Sequence, residues 1–300
     1  MEKNPRKYTN NYLLKRFIPY YGPYKKILSF DLLAAALTTV SELVLPLILS
    51  YLTDWAQIGI LDAPRIVRVA IIYAITKSIS VIARYFMQSM GHIMGANIER
   101  DMRKDVFNHL LEMDTEFFNE AKIGQLMTRL TSDLFEITEF SHHVPEEFLV
   151  GAIKLVISFI VLLRIDWKLS LVVYLLIPLM YVVSRKSRAM FRKATKNSKK
   201  QIGEINSGVE DTLLGISVVK SFANEDIEKT KFARENDKFA DIKSDQYYNM
   251  AKYFCVKDSF SGLMYLVLII MGGFRVIKGE ISPGQLIAFT MYLNMLVGNN

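Results

Sequence analysis

Six charged residues interrupt stretches that are otherwise apolar, Asp31, Glu42, Arg68, Lys77, Arg84 and Lys154, and four of them, Glu42, Lys77, Arg84 and Lys154, are the candidates for function. A charge inside a bilayer or a dry core is costly, so each must pair, face water or hold a ligand. Glu42 lies 12 residues before Asp54, about 18 Å along a helix, and Lys77 lies 11 residues after Ile66, about 16 Å along. These matching depths make a Glu42–Lys77 ion pair geometrically possible. Lys154, 11 residues before Ile165, sits at a similar depth, and Arg84 follows Lys77 by seven on much the same helix face. Such a set suits a hydrated cavity for amphiphiles with an anionic part. Pairwise structural compensation satisfies the same charges, and the spacing leaves both open. His142, His143, Glu146 and Glu147 offer nitrogen and carboxylate ligands at i, i+4, but Pro145 among them suits a helix start, and no metal site is expected. No Ser-His-Asp, Cys-His or paired-carboxylate arrangement is placed for catalysis. No G-x-x-x-x-G-K-[ST] phosphate loop occurs anywhere in the chain. The chain is therefore expected to carry no catalytic residue and no cofactor of its own.

The elements that must position these charges are apolar blocks. The chain has 300 residues, 51% of them hydrophobic and 22% charged, with a mean hydropathy of +0.20. The charged residues collect between the apolar blocks, which excludes intrinsic disorder and an ordinary soluble enzyme core. One cysteine, Cys255, excludes an intrachain disulfide. Six stretches approach the roughly 20 residues a bilayer span needs: 27–53, 66–95, 148–163, 169–184, 259–274, and one from Ile281 onward. The gaps between them alternate short and long. The N-terminal segment and the two long gaps, 97–145 and 185–252, hold 27 of the 37 Lys and Arg residues. By the positive-inside rule these face the cytoplasm, and so does the N-terminus. That bias accounts for much of the +7 net charge, and no nucleic-acid partner is expected. The first block is too long for a signal-peptide core of about 7–15 residues. Residues 1–26 form an N-terminal cytoplasmic segment. Within it, Leu13, Leu14, Phe17, Ile18 and Tyr21 share one face of an interfacial helix.

Both long gaps keep helical spacing. Phe191, Thr195, Ser198, Ile202, Ile205 and Val209 step by four and three. No proline occurs between Pro178 and Pro283, so the fourth block is expected to run on as one helix far into the cytoplasm, with a second returning from about Glu225. The fold class is all-α: six transmembrane helices, residues 27–300, with two long cytoplasmic hairpins. Each hairpin tip carries a partly apolar segment, Glu116-Phe117-Phe118-Asn119 in one and Leu213-Leu214-Gly215-Ile216 in the other. Exposed aromatic and aliphatic side chains at a solvated tip invite a covering surface. They dock on a cytosolic partner or pack on the protein itself.

Several phrases resemble one family. Glu116-Phe117-Phe118-Asn119 followed by the run from Gly124 to Asp133, GQLMTRLTSD, is similar to the first intracellular loop of ABC exporters. The run from Glu210 to Glu225, EDTLLGISVVKSFANE, is similar to the second, and Leu13-Leu14-Lys15-Arg16 resembles the elbow helix. The regions around Gly91–Gly95 and His142–Glu147 resemble the bacterial lipid- and multidrug-exporter branch. The resemblance covers essentially the whole chain and implies the transmembrane domain of a half-transporter in the bacterial plasma membrane. It implies a second half, identical or paralogous, with the fourth and fifth helices crossing over to it. It implies that Glu116–Asn119 and Leu213–Ile216 are coupling helices seated on ATP-binding domains, which hold ATP and magnesium. It implies transport of hydrophobic or amphipathic drugs or lipids by alternating access among membrane lipids. An ATP-binding domain is absent from this chain, and the sixth helix stops early, so a fragment of a longer protein is expected, or a permease subunit whose ATPase is a separate chain. A scaffold of the same fold and an ion-driven secondary transporter with Glu42 as proton carrier are the rival readings.

Overall fold

The computed structural model describes residues 9–120 and 123–298, and every regular element among them is helical. In chain order these are α1 (Asn10–Phe17), a 3-10 segment (Ile18–Tyr24), α2 (Lys25–Gln57), α3 (Ala63–Phe86), a π-helical segment (Met87–Gly91) and α4 (His92–Leu111). The short α5 (Thr115–Glu120) and α6 (Ile123–Thr128) precede a second π segment (Arg129–Asp133) and α7 (Leu134–Ile165). Then come α8 (Trp167–Leu214), α9 (Ile216–Ser221), α10 (Glu225–Val267), a third π segment (Leu268–Gly272), α11 (Gly273–Ile277) and α12 (Pro283–Val297). Among the described residues, five continuous helical runs are long and apolar enough to cross a membrane. The sixth apolar stretch forms the 15-residue α12, short of a full span. The chain divides into two compact units, Met1–Ile165 with Ile281–Asn300, and Asp166–Glu280.

In the first unit the expected interfacial helix ends earlier than its apolar face. Thr9 caps α1 by accepting from the Tyr12 amide. Pro19 and Pro23 then remove amide donors, and the chain tightens to 3-10 geometry. The tyrosines after the first proline fasten this segment to α4. Tyr20 donates to Asp105 at 2.8 Å and Tyr24 to Asp101 at 2.7 Å, with Arg100 also on Asp101 at 2.8 Å. The core of the unit is made of small residues. Ala34 and Ala35 of α2 pack with Ala83 and Met87, flanked by Phe86 and Val150. Small side chains let helix backbones approach closely, which is how membrane helices gain contact when lipid supplies no hydrophobic drive. Gly91 belongs to this seam: a Cβ there would lie 2.8 Å from an oxygen of the buried Asp31.

The α12 helix docks on α2 by its first turn. Ser282 and Gln285 form a capping box, each side chain bonded to the other's backbone amide. Asp54, near the end of α2, accepts from the Ser282 hydroxyl at 2.8 Å and from the Gly284 amide at 3.0 Å. Further along, the buried Tyr292 hydroxyl donates to the Leu43 carbonyl at 2.7 Å.

The second unit is a long antiparallel pair, α8 and α10. At about 1.5 Å per residue, the 48 residues of α8 extend about 72 Å. Pairing runs in opposite directions along the two helices. Phe191 stacks on Tyr253, Gln246 donates to Thr195, Gln201 donates to Glu235, and Thr212 donates to Glu228. The seam is rotated from the expected one. Ala194, Ser198, Gln201 and Ile205 are buried, whereas Ile202 and Val209 are exposed. Short and polar side chains take the inner line because a tight, hydrogen-bonded α8–α10 contact favours them over bulk. At the other end, Asp166 caps α8 by accepting from the Leu169 amide at 2.8 Å and pairs with Arg275 of α11. Arg275 also meets Glu280 at 2.8 Å. This buried charge pair joins two short connections that sequence spacing treated separately.

Candidate functional site

The residues singled out from the sequence fall at three places. The first is the α5 tip. Asp114 accepts from the Phe117 amide at 2.8 Å and so starts the short helix. The rings of Phe117 and Phe118 meet edge to face with centroids 5.3 Å apart. Phe117 is half-buried, and Glu116, Phe118 and Asn119 are exposed.

The second place is the turn from α8 through α9. Leu213 and Leu214 end α8 with 63% and 80% of their surface exposed, and Ile216 opens α9 at 40%. Gly215 joins the two helices, its amide bonded to the Asp211 carbonyl at 3.0 Å. A Cβ on Gly215 would lie 3.3 Å from that same carbonyl, so a larger residue would crowd the turn. Beside it opens a cavity of about 820 Å³, lined by Leu213, Ile216, Val219 and Phe232 together with Glu228 and Lys231. Lys231, and after it the Thr212 hydroxyl, hold the Glu228 carboxyl below its ordinary range, so it is ionised at neutral pH. Apolar and charged side chains share this lining, a mixture suited to docking against a complementary surface.

The third place lies within the apolar helices. Glu42 of α2 is bracketed by two cations, Arg84 of α3 at 2.9 Å and Lys154 of α7 at 3.3 Å. The structure does not bring Lys77 to it. Lys77 is exposed, and among the described residues no ion pair to it is seen. Equal depth is only half of the requirement for pairing, because facing decides the rest. Arg84 follows Ala83, which is packed against Ala34 and Ala35, and Lys154 is one turn beyond Val150 in the same cluster. Both therefore start from the seam that holds Glu42. The triad carries one net positive charge. If the brackets are energetic, Glu42→Gln and Lys154→Met should each lower thermal stability, while the double variant should recover part of the loss. A coupling of roughly 1–2 kcal/mol is expected for contacting, half-buried charges. Strictly additive losses in the cycle would dismiss the pair.

Of the histidine and carboxylate group, the His142 side chain lies outside the described residues. His143 turns to Glu139, with Nε2 to Oε2 at 3.4 Å. Sequence reasoning did not anticipate the pairings of Tyr20, Tyr24, Asp54, Asp166 and Arg275. Their partners lie 77 or more residues away along the chain, beyond any helical periodicity.

Residues 28–299 match the family described as the ABC transporter transmembrane region. The chain belongs to that family. This transmembrane region is a multi-pass membrane protein of long helices, as its loop phrases led one to expect. It is 33% identical over 288 residues to the uncharacterized ABC transporter ATP-binding protein YwjA of Bacillus subtilis, covering 95% of this chain and 49% of the relative. It is 25% identical over 290 residues to the putative multidrug export ATP-binding/permease protein YgaD of the same organism, covering 95% and 50%. It is 24% identical over 296 residues to the putative multidrug export ATP-binding/permease protein SAOUHSC_02003 of Staphylococcus aureus, again covering 95% and 50%. The chain thus spans about half the length of the curated relatives it matches.

Proposed function

We propose that this transmembrane region forms the substrate pathway of an ATP-driven exporter of hydrophobic or amphipathic compounds, drugs or lipids, in the bacterial plasma membrane. The observation that carries the reading is the pair of helix-capped tips, α5 and α8–α9, each presenting apolar side chains to the outside. Membrane helices need no such tips to span a bilayer, whereas a machine driven from the cytosol needs rigid points of purchase. The tips act as coupling helices on ATP-binding domains, and the N-terminus is cytoplasmic. ATP and magnesium belong to those domains. No phosphate loop occurs in this sequence, so its residues do not fit the nucleotide and no chemical step is assigned to them. Two relatives bear multidrug export ATP-binding/permease in their names, which supports an attached or associated ATPase. A second half, identical or paralogous, completes the pathway. The separate compactness of Asp166–Glu280 supports an exchange of the fourth and fifth helices with that partner.

Alternating access follows from the helices themselves. An α8 of about 72 Å, tied along its length to α10, transmits a displacement at its tip to its far end as a rigid body. Glu42, Arg84 and Lys154 would line the pathway and favour an amphiphile with an anionic part.

The test uses inverted membrane vesicles carrying the native polypeptide that contains this chain. Uptake of a fluorescent amphiphile should require ATP and persist when a protonophore collapses the proton gradient. Uptake driven by the gradient without nucleotide would establish the secondary-transporter reading in its place. Correct insertion with no uptake and no substrate-stimulated ATP hydrolysis would favour a scaffold.

A further inference from the structure

Outside the tips and the charged triad, one cluster combines groups that the transport reading does not use. His92 opens α4, and Glu139 and His143 lie one turn apart on α7. Their ligand atoms, one from each residue, all fall within 4.8 Å of one another. His143 Nε2 is 3.4 Å from Glu139 Oε2, and the His92 and His143 rings stand edge to face with centroids 5.4 Å apart.

The backbone helps to make this cluster. The π segment Met87–Gly91 sits immediately before His92. A π turn inserts an extra residue into the helical register and rotates everything that follows by about 100°, and such turns recur at functional sites. The Glu139 and His143 side chains are 39% and 42% exposed, so an aqueous ion can reach the site.

We propose that His92, Glu139 and His143 bind a divalent transition-metal ion of the zinc class. Two imidazole nitrogens and one carboxylate are a donor set suited to zinc, cobalt or nickel, whereas magnesium and calcium prefer oxygen throughout. With metal–ligand bonds of about 2.1 Å, tetrahedral ligands stand about 3.4 Å apart. The Glu139–His143 pair already has that separation, and rotation of side chains on two adjoining helices closes the remainder. Three protein ligands leave a fourth position for water. The ion would staple α4 to α7 across a chain separation of 47 residues, between His92 and Glu139. The inference stands apart from the transport reading, because it concerns binding and needs no nucleotide.

The experiment is equilibrium dialysis of the untagged native polypeptide in lipid nanodiscs against Zn²⁺, with Co²⁺ as a spectroscopic stand-in. One Zn²⁺ per chain is expected, together with a visible Co²⁺ absorption of low-coordinate character. Loss of a partner outside the ligand set typically costs about 10–100-fold in metal affinity. His92→Ala and His143→Ala, which delete ligands, should therefore each lose at least tenfold. His109→Ala, at an exposed histidine of the same helix, should bind as the parent does. Saturating Zn²⁺ should raise the melting temperature by roughly 5 °C, and Mg²⁺ should not. Glu139→Gln keeps shape while removing the anionic ligand, so it answers the question even if a histidine variant fails to fold. Zinc affinity unchanged in His92→Ala and Glu139→Gln, or no zinc bound by the parent beyond that of a variant combining His92→Ala, Glu139→Gln and His143→Ala, would overturn the site.

Discussion

Leu214→Asp should leave the protein folded and inserted, yet cut substrate-stimulated ATP hydrolysis by more than about tenfold. The side chain is 80% exposed, so its own unit gains little from it. Substitutions at such positions usually change stability by less than about 0.5 kcal/mol. Docked in an apolar groove of an ATP-binding domain, the same side chain is worth about 1.5–3 kcal/mol of burial. An aspartate there must also be desolvated without a partner. Each 1.4 kcal/mol is about a factor of ten in a docking equilibrium, so a loss of this size empties the coupled state. Aspartate also sits badly at a helix C-terminus, by about 0.3–1 kcal/mol. Leu214→Ser separates the effects, since it removes the apolar contact without adding the charge and should still reduce coupling several-fold. Phe117→Ala probes the other tip in the same way. The measurement pairs ATP turnover of the native polypeptide in nanodiscs with melting temperature. Turnover at the parent level in both leucine variants would show that this tip touches nothing that matters.

What was legible in the sequence was whatever depends on one helix at a time. The membrane-crossing blocks stood out because lipid demands uncharged length. The hairpin arms stood out because proline is missing from them. The tips stood out because Leu213, Leu214 and Phe118 break the polarity of their surroundings. Features that depend on how one helix faces another were hidden. Glu42 found Arg84 and Lys154 in place of Lys77 because counting residues gives height along a helix and says nothing of azimuth. The π segments compound this. At Met87–Gly91 and Leu268–Gly272 an inserted residue turns the following helix without a compositional mark, so a face extrapolated through them points the wrong way. The α8 seam shows a related failure. Ile202 and Val209 looked like core by type, but the hydrogen bond from Gln201 to Glu235 at 3.0 Å draws the polar line inward.

The largest effect on folding is expected at Gly284, a position with no signal in the sequence beyond its place after Ser282-Pro283. Its amide donates to Asp54 at 3.0 Å. A Cβ built there lies 2.2 Å from the Ser50 backbone carbonyl and 2.5 Å from the Asp54 carboxylate. The first obstacle is backbone inside α2 and cannot rotate away. Alanine therefore pushes the start of α12 off α2, which breaks the Asp54 bonds to Gly284 and Ser282 together. Overpacking of this kind costs about 1–3 kcal/mol, and more where the neighbour is rigid. Loss of the two Asp54 hydrogen bonds adds about 1 kcal/mol or more. Gly284→Ala should lower the melting temperature by on the order of 10 °C, and Gly284→Val should prevent stable insertion of α12. The contrast is Gly203 on α8, where a Cβ meets nothing within 4 Å. There the same glycine-to-alanine change relieves backbone entropy, and should be neutral or stabilising by up to about 1 kcal/mol. Equal melting temperatures for Gly284→Ala and the parent would mean that α12 is not held to α2 through Asp54. The contact between Tyr292 and Leu43 would then have to carry that docking alone.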